Sequence, residues 1–162
     1  MIEHDKSLVP NQDNAYHVEH ARLLASSYSI LTGSNLVSAK ITDKAFGEVL
    51  FNASRVVVSH GTEQDPIFNY ANQLALTLFE MSWHEFVSLP SRLSAEALHR
   101  EERAKLMQTV TAQGYIDDYA GVRISKNGRR FMIEAATVWN IVDLDGRYCG
   151  QAASFDQWRF LD

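Results

Sequence analysis

The run "SKNGRRFMIEAATVWNIVDLDGRYCGQAASF" constrains the fold more than any other stretch of the chain. A Lys-Asn-Gly turn opens it, and Asp-Leu-Asp-Gly separates two β-branched, aromatic segments. Asn-Gly and Asp-Gly favour tight turns between antiparallel strands because such turns need positive φ. With "YIDDYAGVRIS" ahead of the first turn, the pattern predicts a three-stranded antiparallel meander closing the chain. Asn140 and Gln151 sit inside runs that otherwise read as packed sheet. Buried amides need partners, so these two residues raise the question of what the sheet holds.

Upstream, the signals alternate between helix and strand. Asn14 is placed to cap a helix to about Leu31, with Val18, Ala21, Leu24, Ala25, Tyr28 and Leu31 on one stripe and Gly33 ending it. Asp43 is placed to cap a short helix through Phe46, Val49 and Leu50. "RVVVSHG" reads as a strand, and Pro66-Ile67-Phe68 as a second short one. A helix is expected from Asn69 or Tyr70 through "ANQLALTLFEM". Ser82 and Glu85 have capping-box spacing for a single turn. Ser94 is placed to cap a long helix to about Gln113, closed by Gly114. The order predicts an α+β domain, a five-stranded antiparallel sheet with helices on one face, preceded by N-terminal amphipathic helices.

Composition narrows the function classes. At 162 residues, one domain is the default. A net charge of −5 argues against a nucleic-acid partner, which wants clustered Lys and Arg. Cys149 is the only cysteine, so an intrachain disulfide and a CxxC site are excluded and a cytoplasmic, reducing setting is expected. The start "MIEHDKSLVPNQDN" lacks signal-peptide character, and no apolar run approaches the roughly 18 residues of a membrane span.

The element order, together with local motifs, resembles the PAS fold. "IFNYANQLALTLF", "SKNGRRFMIEA" and "VDLDGRYCGQ" resemble its helix opening and its two hairpins. More closely, "SHGTEQDPIFNYANQLAL", "LPSRLSAEALHREER", "YIDDYAGVRISKNGRRF" and "ATVWNIVDLDGRYCGQAASF" resemble the MEKHLA domain, a PAS-related family. The resemblance divides the chain into a helical extension, 1–54, lying on or beside the sheet, and a PAS-like domain, 55–162. It implies a sensory or regulatory interaction module, free-standing or at the end of plant homeodomain–zipper transcription factors. With no heptads or basic region ahead of it, this copy is expected to be free-standing.

A PAS-type pocket would lie between the sheet and the short helices. Asn72, Phe79, Tyr119, Arg123, Trp139 and Gln151 are its expected ligand-binding residues. Gly121, Ala135, Gly150 and Ala153 would leave room there. Phe131, Ile133 and Trp139 alternate onto one face of the central strand, although a bulge could switch the parity near Asn140. Cys149, Gln151, Ala153 and Phe155 share a face of the last strand. Two readings stand for the polar groups: contact with a ligand, or mutual satisfaction inside the fold. An inward Arg123 needs an anion. Asp117, Asp118 or Glu102 is the internal choice, and a ligand carboxylate the alternative.

Metal, haem and flavin are disfavoured. His17 and His20 are i, i+3, but no third ligand completes a set, so a solvated helix face is expected. His99 is the one residue placed like a haem axial ligand, and "LHREER" otherwise reads as a solvated helix. The short-helix region carries no cysteine for flavin photochemistry, and Cys149 reads as a packed hydrophobe. No GxSxG, P-loop or HExxH occurs, so no enzyme is expected. His60 or His99 with Asp65 is the best catalytic alternative. The expected function is binding of a small ligand or protein partner. A homodimer through the first helix and a constitutive module with a filled core remain as alternatives.

Overall fold

The computed structural model describes residues 4–96 and 99–161. Five helices and six strands follow in the order α1 (Val18–Thr32), α2 (Phe46–Phe51), β1 (Val56–His60), β2 (Phe68–Ala71), α3 (Gln73–Phe79), α4 (Trp83–Phe86), α5 (Arg100–Gln113), β3 (Tyr115–Ile124), β4 (Arg130–Val142), β5 (Tyr148–Phe155) and β6 (Gln157–Phe160). The strands form one antiparallel sheet ordered β2-β1-β5-β4-β3. The additional strand, β6, continues the β5 edge along the first half of β4. The closing meander is the one its turns predicted. Gly128 and Gly146 both take positive φ, and the Asp143 carboxylate accepts from the Asp145 and Arg147 amides to tie the second turn.

Both faces of the sheet are covered. α3 and α5 roof one face through Phe79, Leu106 and Val110. α1 lies on the other, where Leu24 and Tyr28 meet Trp139. The Trp139 indole donates to the Leu24 carbonyl at 3.2 Å, and Ser27 exchanges two hydrogen bonds with the Val142 backbone. The α1 stripe is therefore buried within its own chain.

β4 serves both roofs because its parity breaks. Ala135 takes φ +51 and Asp118, on β3, takes φ +55. Each left-handed residue inserts one extra position into its strand, and the register between β3 and β4 shifts twice and then recovers. Phe131 and Ile133 thus share the α3–α5 face with Val138 and Asn140, while Trp139 and Ile141 turn toward α1. The alternation expected to align Trp139 with Phe131 and Ile133 ends at this bulge. Gly150 does the same on β5: at φ +128 it lets the His60 carbonyl approach to 2.0 Å from where a Cβ would stand. Cys149 is thereby separated from the face shared by Gln151, Ala153 and Phe155.

Four helix starts differ from the sequence expectation. α1 begins at Val18 because Ala15, Tyr16 and His17 all take positive φ. Asn14 instead joins Asn11 in a reciprocal cap around a 3-10 turn. Ala45, not Asp43, precedes α2, and Asp43 accepts from the Ala45 amide just outside it. α3 starts at Gln73, since residues 68–71 pair with β1 as strand. Ser94 ends a short 3-10 turn and donates back to the Ser91 carbonyl, and α5 begins only at Arg100, after His99. The Ser82–Glu85 box caps α4 as its spacing predicted.

His17 and His20 are not a solvated face. His20 is buried and bonds the Ser59 hydroxyl at 3.0 Å. His4 stacks on His20 at 4.1 Å and reaches the Asn69 carbonyl, while His17 touches His4 and Trp83. Burial pushes His4 down to about 4, and burial lowers His17 and takes His20 well below the ordinary imidazole range. The cluster pins the segment from His4 to Leu8 against β2 and α4.

Two expectations follow. Ala135→Gly should be neutral or stabilising by up to about 1 kcal/mol, and Ala135→Val should cost about 1–2 kcal/mol, because only glycine is relaxed at positive φ. Urea midpoints check this, and a glycine variant weaker than the valine one would contradict the bulge. Second, the folded-state pKa values of His4, His17 and His20 lie below the unfolded value of 6.5. Stability is then complete above pH 6.5 and declines as pH falls toward 4, because the unfolded chain binds protons the folded one refuses. Buried His60, also lowered, adds to the slope. A urea-midpoint series against pH should show this decline and a shallower slope in His4→Gln. A flat profile between pH 7.5 and 5 would contradict it.

Candidate functional site

A cavity of about 50 Å³ lies between the sheet and α5. β1 supplies Val58 and His60, β3 supplies Tyr119 and Arg123, and β4 supplies Ile133 and Val138. β5 adds Gln151, Ala153 and Phe155, while Phe68, Phe79, Ser94, Arg103 and Met107 close the remaining sides. Most of the wall is apolar. Its charge comes from two guanidinium groups, Arg103 at 9% exposure and Arg123 at 8%.

Arg123 donates to the Val122 carbonyl at 2.9 Å and to the Tyr119 hydroxyl at 3.4 Å, and sits over the Tyr119 ring. Tyr119 folds onto Gly121, where a Cβ would meet its hydroxyl at 2.2 Å. Arg103 makes no hydrogen bond and no ion pair among the described residues. Burial and the neighbouring Arg123 push Arg103 down to about 10, against the weaker opposing pull of Tyr119 and the Asp65 carboxylate, which leaves it charged at neutral pH. Asp117, Asp118 and Glu102 are exposed and form no ion pair with Arg123. The internal anion expected for Arg123 is thus not found among the described residues. Arg92 pairs with the Asp65 carboxylate at 3.1 Å on the surface.

His60 is held neutral. Burial is the largest cause of its lowered pKa, and the charge of Arg103 adds to it. Its Nδ1–H donates to the Gly61 carbonyl at 3.0 Å. Asp65 is engaged with Arg92, so the His60–Asp65 catalytic pairing has no geometry behind it. His99 stands just ahead of α5 and does not line the cavity. Among the described residues no group of three His, Cys, Asp or Glu could hold a metal ion.

Four expected residues meet at the cavity: Phe79, Tyr119, Arg123 and Gln151. Trp139 lies on the opposite face under α1, 0% exposed. Asn72, also 0% exposed, accepts from the Val57 and Ala75 amides and donates to the Leu50 and Arg55 carbonyls. It caps α3 and ties it to β1 and the end of α2, with no donor left for a ligand. Gln151 borders the cavity, yet its amide donates to Met107, Thr111 and Asn140. Asn140 in turn donates to the Val110 and Thr111 carbonyls. The amides inside the strands hold the C-terminal half of α5. Arg103 was hidden in "LHREER", which reads as solvated; its spacing from Leu106 and Val110, i, i+3, i+7, was the available signal.

The sequence profile of the MEKHLA domain matches residues 18–160. The chain belongs to the MEKHLA domain family. Among its relatives, this MEKHLA domain is 30% identical over 154 residues to homeobox-leucine zipper protein ATHB-9 of Arabidopsis thaliana. It is 29% identical over 147 residues to ATHB-14 of the same plant. In both cases 86% of the chain is covered and only 17% of the relative's length. Among solved structures it is similar to a PAS domain from Colwellia psychrerythraea, with TM-score 0.59 at 16% identity over 70% of this chain and 92% of the other. It is also similar to a Light-Oxygen-Voltage domain studied with a flavin analogue, with TM-score 0.57 at 15% identity over 76% and 89%. At such identities the likeness shows the PAS-type fold.

The Asn72 network generates a prediction. Asn72→Ala removes a helix cap and strands buried backbone groups, so it should cost about 3 kcal/mol or more. Chemical denaturation checks this. A loss under about 1 kcal/mol would mean that Asn72 is not the structural tie its bonds describe.

Proposed function

We propose that this MEKHLA domain is a sensory module that binds a small molecule between its sheet and α5. The observation that carries this reading is the cavity itself, lined by two buried arginines among mostly apolar walls. Buried charges are normally paired inside a fold, and Arg103 has no such partner among the described residues. A filled core needs no charge there. An occupant would act by favouring one packing of α5 and the segment before it over another, since only unequal affinity shifts an equilibrium. The relatives' homeobox-leucine zipper names are not carried over: the chain spans about 17% of their length. The absence of catalytic geometry at His60 supports a non-enzymatic role. The single cysteine supports a cytoplasmic setting.

The likeness to Light-Oxygen-Voltage structures means that flavin, disfavoured above for want of a short-helix cysteine, is not to be set aside on that ground alone. The lack of a short-helix cysteine argued only against a covalent adduct. Size is the separate test. Pockets for drug-sized ligands run to roughly 300–1,000 Å³, so the cavity as packed does not fit an isoalloxazine ring. Among the described residues no helix is long and apolar enough to cross a membrane.

A second reading, a constitutive interaction module, draws on the same small volume. Ile30 on α1 and Leu144 in the second hairpin are strongly exposed apolar groups available to a protein partner or a second copy.

Native mass spectrometry of the purified chain, with its visible absorption spectrum, separates these readings. The expected result is a colourless protein carrying a small added mass, whose removal raises hydrogen exchange in α5 and residues 88–96. A bare mass, with no thermal shift across a broad panel of small acids, amides and aromatics, would favour the filled-core module. A flavin-type spectrum would require α5 and Phe79 to repack.

A further inference from the structure

Resting on the ligand-binding reading, we propose that the cavity is a site for a short-chain monocarboxylate, held head-first between Arg103 of α5 and Arg123 of β3. Both arginines are buried, at 9% and 8% exposure as whole residues, and line the same cavity. Arg123 spends donors on Val122 and Tyr119, and Arg103 on none among the described residues. A guanidinium cannot shed its charge at neutral pH, so two of them facing one small space call for an anion. The planar fork of nitrogens matches a carboxylate. The Tyr119 hydroxyl, already bonded to Arg123, stands at the same wall.

The remaining walls set the rest of the molecule. Phe79, Ile133, Val138 and Phe155 are apolar and suit an aliphatic tail. A second carboxylate would face these side chains without a donor, at the cost of a buried unpaired charge. The space of about 50 Å³ limits the tail to a few carbons. His60 Nδ1 is bonded to the Gly61 carbonyl, and the Gln151 amide donates to the Met107 carbonyl and the Thr111 hydroxyl, so these donors are engaged within the fold.

The site carries a stability signature. An unpaired buried charge destabilises the fold that holds it, and an apolar group of similar length relieves the cost. Arg103→Met should therefore melt higher than the parent without ligand and lose the response to carboxylate. An arginine that served the fold through internal bonds would do the reverse.

The test uses the full chain at neutral pH, with thermal shift and calorimetric titration. The probes are butyrate, its neutral amide butyramide, succinate, inorganic phosphate and chloride. Butyrate should raise the melting temperature, and butyramide and chloride should not. Arg103→Met should weaken butyrate binding about ten- to hundredfold, the range for losing a charge-assisted hydrogen bond. Arg103→Lys should retain part of the response. Equal binding of butyrate and butyramide, or full binding by Arg103→Met, would overturn the carboxylate assignment while leaving a small-molecule site standing. A response to succinate or phosphate in place of butyrate would also overturn it. No response to any probe, with a bare mass in native mass spectrometry, would remove the ligand reading beneath it. An Arg103→Met variant that melts lower than the parent would reassign Arg103 to the fold.

Discussion

β4 is buried on both sides, and Ala135, which leaves the strand conformation, decides which residues face each side. A strand of strict period two would send Phe131, Ile133, Trp139 and Ile141 to one face. The left-handed residue at Ala135 divides that set. Phe131 and Ile133 stay with Val138 and Asn140 beneath α3 and α5, and Trp139 with Ile141 forms the bed of α1. β3 follows through its own left-handed residue at Asp118, so pairing resumes on both sides of the defect. The cavity and the α1 packing are consequences of the same break. Tyr119 and Arg123 reach the cavity because they lie beyond the β3 bulge, while Tyr115, before it, pairs with Trp139.

Local chemistry made some elements readable in advance. The turns at Gly128 and Gly146, the Ser82–Glu85 box and the apolar stripe of α1 each depend on residues a few positions apart. The parity break was not readable at its position, because alanine carries no preference for positive φ and nothing nearby in sequence marks it. The late starts of α1 and α3 failed for a related reason. Asn14 and Asn69 look like capping residues, but the backbone there was already committed, to a left-handed run in one case and to pairing with β1 in the other. Asn72 did carry the capping signal. The family resemblance drew attention to it as a ligand contact, whereas its four hydrogen bonds stay within the fold.

The site divides along a physical line that separates amides from guanidinium groups. An amide is neutral, and backbone carbonyls can satisfy it; Asn72, Asn140 and Gln151 are satisfied that way. A guanidinium is charged, and a single carbonyl or hydroxyl does not neutralise it. Sequence reasoning grouped Asn72, Arg123 and Gln151 as donors of one kind. The arrangement of partners separates them, and it adds Arg103, whose charged neighbours in sequence had hidden a buried position.

This division also sets the way α5 can move. Gln151 and Asn140 grip the carbonyls of Met107, Val110 and Thr111, all in its C-terminal half. Arg103 stands in the N-terminal half and faces Arg123, a like charge. On the proposed carboxylate site, an anion between the two arginines would offset their repulsion and draw that half toward β3. In that proposal the amide grip would be the pivot and the charge pair the lever. Near the start of α5, Arg92 pairs with Asp65 at the surface and Arg100 donates to the Ala95 carbonyl. By that proposal a change at the two arginines would reach solvent through the start of α5, while β4, packed on both faces, holds its register.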